Sequence, residues 1–162
     1  MTPKLRILLA LAVPVLLADF ATKRIALAAL EPHTPHNVVG DVLRFTLTFN
    51  QGAAMGLSLG SYSRWAFTVV ALIAVGVLFV LWKHADVRDR WRVRALVLIM
   101  AGAIGNLIDR LRWDRGVVDF IDVGVGTWRF WTFNVADSAV TIGALLLAAV
   151  LWFEKPRQDP AP

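Results

Sequence analysis

The chain contains no cysteine. That excludes disulfides, a thiolate nucleophile and any cysteine-ligated metal. Histidine is scarce: His33, His36 and His84 are the only three, and all lie far along the chain from the aspartates discussed below. Neither a His–Ser pairing nor an HExxH run is present, so serine-protease and zincin chemistry lack their residues. Charge is also thin. Only 18% of the 162 residues are Asp, Glu, Lys or Arg, whereas 57% are hydrophobic. A soluble domain averages nearer about 45–50% apolar.

The apolar excess falls in four blocks, which argues a single integral membrane domain. Spans are expected over about 5–30, 65–82, 95–111 and 135–153, with long loops at 31–61 and 112–134 and a disordered tail at 158–162. The first block has the outline of a secretory leader: Lys4 and Arg6, then an apolar run to Ala18, then Ala26-Leu27-Ala28 as a possible cleavage site. Asp19 and Lys23-Arg24 precede that site, so a retained helix fits better.

Formal net charge is +5, but the basic residues cluster by loop and read as topology rather than nucleic-acid binding. Lys83, Arg88, Arg90, Arg92 and Arg94 crowd one short loop, which the positive-inside rule makes cytoplasmic. The N-terminus, with Lys4 and Arg6, then lies inside as well. Lys155 and Arg157 return the chain to the cytoplasm, and both long loops fall outside. A basic lipid-binding patch at 83–94 is compatible with that orientation. Most of the seven tryptophans mark block edges (Trp65, Trp82, Trp91, Trp113, Trp152), as interfacial belts do.

The outer loops carry strand signals. Leu43, Phe45, Leu47 and Phe49 alternate with Arg44, Thr46 and Thr48. Val117 to Val123 forms a second candidate, with Asp119 and Ile121 on one side and Phe120 on the other, and Trp128 to Trp131 a third. Together they predict a small sheet on the membrane's outer face. Asp122 is expected as a solvated loop charge.

Several polar residues are costly where they stand. Asp119 sits in a β-branched and aromatic run, and Asp137 opens the fourth apolar block. Placed so that the chain can fold back between them, they read as a carboxylate pair sharing a proton, which is equipment for activating water. Asp137 is also what a helix N-terminus prefers electrostatically, and Asn134 lies three residues before it. Asp19 and Lys23, four apart, share a helix face as a self-compensating ion pair or as functional groups. Asn106, Asp109 and Arg110 fall on one face or its edge. They could make an interfacial Asp–Arg pair, or Arg110 could hold a phosphate or carbonyl while Asn106 orients a carboxylate. Gly102 and Gly105 would let a neighbouring helix approach. Asn50 and Gly52 close the first strand, either as turn residues or as an amide donor to an oxyanion. Jointly Asp19, Lys23, Asn50, Asn106, Arg110, Asp119, Asn134 and Asp137 are expected at one depth, the outer membrane boundary.

Three other readings compete. A transporter would carry ionisable groups near the midplane of several spans, but spans two and four are clean at their centres. A structural subunit would tolerate neutral residues at 119 and 137. A divalent-metal site would draw on Asp119, Asp122 and Asp137.

The motifs then fall into a pattern. Asp19-Phe-Ala-Thr-Lys23, Asn50-Gln-Gly-Ala-Ala54, Gly105-Asn-Leu-Ile-Asp-Arg110, Val118-Asp-Phe120 and Phe133-Asn-Val-Ala-Asp137 resemble, in order and spacing, the five motifs of the lipoprotein signal peptidase (signal peptidase II) family. Met55 departs from it, standing where the family commonly has Phe. The resemblance implies an α-helical membrane protein with four spans and an extracytoplasmic β-sheet cradle. It implies a catalytic dyad of Asp119 and Asp137, with Asp19, Lys23, Asn50, Gly52, Asn106, Asp109, Arg110 and Asn134 supporting it or the substrate. It implies no metal and no cofactor. The substrates would be diacylglyceryl-modified prolipoproteins in the bacterial inner membrane, cut just before the lipidated cysteine. Membrane lipids and globomycin-type inhibitors would be the other partners.

Overall fold

A computed structural model describes residues 1–52 and 60–154 of the chain. Met55, Lys155, Arg157 and the tail 158–162 lie outside the described residues, as does most of the small-residue stretch after Gly52. Four helices are long and apolar enough to cross a membrane: α1 (Pro3–Ala29), α2 (Ser63–His84), α3 (Arg90–Arg112) and α4 (Val135–Phe153). At 1.5 Å per residue they run about 28 to 40 Å, matched to a hydrocarbon core of about 30 Å.

Local chemistry sets the helix ends. Thr2 accepts the Leu5 N–H, and Pro3 follows where its missing N–H costs nothing. Asp89 caps α3 by accepting the Arg92 N–H. That cap carries α3 through Arg90–Arg94, so the helix begins five residues before the apolar block does. The last carbonyls of α2 are held from α1: Lys4 Nζ donates to Lys83 O (2.8 Å) and Ala85 O (2.9 Å).

The core sits along α3. Val93, Ala95, Leu96, Val97, Met100 and Ala101 are buried, while α2 turns apolar side chains such as Val69, Ile73 and Val77 outward. That inside-out pattern suits a lipid solvent, where tight backbone approach replaces hydrophobic segregation. A Cβ on Gly102 would collide with the Ala136 carbonyl and Val140, and one on Gly143 would meet Ile99 and the Ala95 carbonyl. Small residues therefore set the α3–α4 distance.

All four strands lie in the connections at the end of the bundle where α1 and α3 finish. Strands β1 (His36–Val39), β2 (Leu43–Asn50), β3 (Val117–Val125) and β4 (Trp128–Arg129) make one antiparallel sheet in that order. Strand β1 was not expected. All four of its residues are exposed, so it shows no alternation, and pairing with β2 defines it. The third expected strand is shorter than 128–131. Asp122 is not a solvated loop charge: it is buried in β3 and held by Arg129 Nε (2.8 Å) and Thr46 Oγ1 (3.0 Å). Its odd spacing from Asp119 puts it on the opposite face of the strand.

Candidate active site

The site forms where α3, β3 and the start of α4 converge. Asn134 is the N-cap of α4 and is fully buried. Its Oδ1 accepts the Asp137 N–H (2.8 Å), and Asp137 Oδ2 accepts the Asn134 N–H (3.1 Å), a reciprocal capping box. That exchange occupies one oxygen of Asp137. The other accepts Asn106 Nδ2 at 2.7 Å. Asp137 thus receives two N–H donors at the positive end of a helix, an arrangement suited to an anion.

Asp119 reaches the same place from β3. Its Oδ1 accepts Asn134 Nδ2 at 2.7 Å, and the Asn50 side chain is a second donor. The orientation of Asn50 is set by Gly52, whose N–H donates to Asn50 Oδ1 (3.0 Å). Asp119 is almost wholly buried. Burial first, then the charge of Asp137, pushes its carboxyl up to about 7; the two asparagine donors pull the other way.

A buried charge cluster backs the two aspartates. Lys23 Nζ contacts Asp19 Oδ2 (2.8 Å), Asp109 Oδ2 (2.8 Å) and Asn106 Oδ1 (3.0 Å). An ammonium has three donors, and all three are taken within the chain. Asp19 Oδ1 in turn accepts the Ala136 N–H of α4 (2.9 Å), and Asp109 Oδ2 accepts the Val118 N–H of β3 (3.2 Å). Asp19 is therefore a cap supplied by one helix to another. With Lys23 and Asn134 (3.0 Å) both donating to Asn106 Oδ1, that amide must present its NH2 to Asp137.

Arg110 does not pair with Asp109, as one sequence reading had it. Its Nη2 donates to Gly52 O (3.1 Å) and its Nη1 to Asn106 O (3.3 Å). Its Nε is buried with no hydrogen-bond partner among the described residues. Two residues were missed. Thr48 stands opposite Asp119 in the β2–β3 register, and its hydroxyl meets that of Thr132 at 2.7 Å on the cleft wall. The alternating pattern of β2 held the signal, because Thr48 lies in the polar half of a strand leading to Asn50.

The cleft measures about 940 Å³. Asp119, Asp137, Asn50, Asn106 and Arg110 line its polar part. Phe49 from β2 and Phe130 from the loop after β4, with Val140 and Ile142 along α4, line its apolar part. A cleft that sets apolar side chains beside two carboxylates can hold an apolar ligand next to an acid–base pair.

Comparison with known proteins agrees with this arrangement. A family model described as Signal peptidase (SPase) II matches residues 11–153. The lipoprotein signal peptidase of Hydrogenovibrio crunogenus is 40% identical over 153 residues, covering 92% of this chain and 87% of its own. That of Paraburkholderia phymatum is 42% identical over 142 residues, covering 86% and 83%. Two bacterial membrane enzymes solved by the in meso method share the fold: one at a TM-score of 0.77 with 33% identity over 96% of this chain and 93% of its own, the other at 0.74 with 34% over 91% and 94%. With the match running through all four helices and the sheet, this chain belongs to the signal peptidase II family of membrane peptidases.

Proposed function

We propose that the chain is an aspartyl endopeptidase that removes the signal peptide from diacylglyceryl-modified prolipoproteins, cutting just before the lipidated cysteine. The observation that carries the dyad is Asn134, which bonds both Asp119 and Asp137 and ties them to one end of one cleft.

The two carboxylates have unlike surroundings, which divides the work. Asp137, in the first turn of α4 and less buried than Asp119, is the anion that takes a proton from water. Asp119, raised to about 7, keeps a proton up into the neutral range. The water oxygen attacks the scissile carbonyl carbon while Asp119 gives its proton to the carbonyl oxygen. The tetrahedral diol then collapses: the C–N bond breaks, a proton passes from Asp137 to the leaving amine, and one from the diol returns to Asp119. Arg110, on the cleft wall, offers its guanidinium to a substrate carbonyl. The acyl chains lie along Val140 and Ile142, so hydrocarbon supplies much of the affinity. Globomycin-type inhibitors would occupy the same polar end.

The basic 83–94 connection supports an orientation with both termini cytoplasmic and the sheet outside. The test is a gel-shift cleavage assay in detergent with a diacylglyceryl-modified prolipoprotein. Wild type should cleave with and without EDTA. Asp119→Asn and Asp137→Asn should be folded yet at least about 10³-fold slower, since each removes a group the other cannot replace. Near-normal activity in either variant would refute the dyad.

A further inference from the structure

Another face of α3 carries a second feature. Asn106 and Arg110 face the cleft; Gly105, Ile108, Asp109 and Arg112 centre more than a quarter-turn around the helix from them and border a narrow groove against α1. The groove and the cleft share no lining residue. Leu16, Phe20 and Leu27 form one apolar wall and Ile108 the other. Phe20 and Ile108 are about half exposed, so the groove opens to the surroundings of the bundle.

Two arginines border it. Arg24 lies one turn beyond Phe20, and Arg112 one turn beyond Ile108, both toward the sheet end. Both are exposed, and neither forms an ion pair among the described residues. Arg112 is stacked on the Trp113 ring, 5.1 Å from its centroid. Arg24 stands five residues inside the end of α1, about 7.5 Å along the axis. A guanidinium at that depth of a span snorkels to the interface, where lipid phosphates are the abundant anions. The two carboxylates that line the groove, Asp19 and Asp109, both contact Lys23.

We infer that the groove between α1 and α3 binds a phospholipid of net negative charge, with its phosphate between Arg24 and Arg112 and one acyl chain over Phe20 and Ile108. Lys23, Arg24 and Arg112 against Asp19 and Asp109 leave the groove lining formally positive, which favours a head group without its own ammonium. A diacylglyceryl group on a cysteine carries no phosphate, so the same pair of charges separates this lipid from a substrate. Bound there, the lipid covers the membrane side of the Asp19–Lys23–Asp109 cluster, whose residues form part of the groove lining.

Native mass spectrometry of the detergent-purified chain, titrated with phosphatidylglycerol or phosphatidylcholine, tests this. Wild type should retain phosphatidylglycerol at least about fivefold better, in line with about 1 kcal/mol per basic residue near anionic lipid. Arg24→Gln/Arg112→Gln should lose that preference, whereas Arg88→Gln/Arg90→Gln, in the basic connection at the other end, should keep it. Ile108→Trp, which fills the groove without removing a charge, should lower retention of both lipids, and it decides the matter should the double arginine variant fail to fold. Equal retention of the two lipids by wild type, a preference that survives Arg24→Gln/Arg112→Gln, retention untouched by Ile108→Trp, or displacement of the lipid by a diacylglyceryl prolipopeptide would each overturn the assignment.

Discussion

Asn134 donates its side-chain amide to Asp119 at 2.7 Å from the cap of the helix that carries Asp137. One residue thus fixes the start of α4 and the position of a carboxylate on a strand. The folding signal and the site geometry cannot be separated at this point, and several expectations follow from how tightly the two are joined.

The first concerns pH. Asn50 donates to Asp119 and opposes the effect of burial on it. Asn50→Ala removes that donor, so the Asp119 carboxyl moves further up from about 7. With Asp119 as the protonated partner of the proposed mechanism, the alkaline limb of the pH–kcat/KM profile should shift to higher pH in the variant. A limb that stays in place or moves down would contradict the assigned proton.

Stability should follow the same group with the opposite benefit. The folded value near 7 exceeds the ordinary 3.8, so the folded state binds this proton more tightly than the unfolded chain does. Stability is then lost as pH rises between those values, by up to about 1.4 kcal/mol per unit. Asp119→Asn has no such proton. In detergent melts its Tm advantage over wild type should grow from pH 5 to pH 7 and level off above that.

Lys23→Met tests the buried cluster. It leaves the Asp19 and Asp109 carboxylates, both mostly shielded from solvent, without their shared cation. Breaking a buried ion pair from one side costs about 3–5 kcal/mol. Cleavage should fall as well, because the Asn106 amide loses one of the two donors that fix its direction toward Asp137. Thermal unfolding and initial rates measured on the same preparation should show both losses.

Helix packing gives a paired comparison. Gly102→Ala forces a methyl into the Ala136 carbonyl and Val140 and should cost about 1–3 kcal/mol. Gly76→Ala meets nothing within 4 Å and should be neutral or stabilising by up to about 1 kcal/mol. A detergent denaturation series on the two variants separates close approach from mere smallness.

Much of this architecture was legible in the chain itself. Long apolar runs have few solutions in a bilayer, and the alternation of Leu43 to Phe49 left strand β2 little choice. What escaped was set by partners distant in sequence. Strand β1 has no pattern of its own and exists because β2 offers an edge. The first turn of α3 is too charged for a hydropathy reading, yet Asp89 caps it. Asp122 looks like a loop charge until Arg129 and Thr46 are folded onto it. At the site, residue types and spacing pointed to Asp119 and Asp137 as a pair. They did not show that Asp19 caps α4 or that Lys23 is spent internally, since those contacts cross 117 and 83 residues of chain.

The Asp19–Lys23 contact also bears on biogenesis. The first helix meets the translocon with an acid and a base four residues apart, so it enters the bilayer as a neutral pair before any other span exists. Asp109 and the Ala136 N–H reach that pair only when α3 and then α4 have been synthesised. Half-made chains ending before α4 should therefore insert and persist while remaining inert, and proteolytic competence should arrive in one step, with the last helix to leave the ribosome.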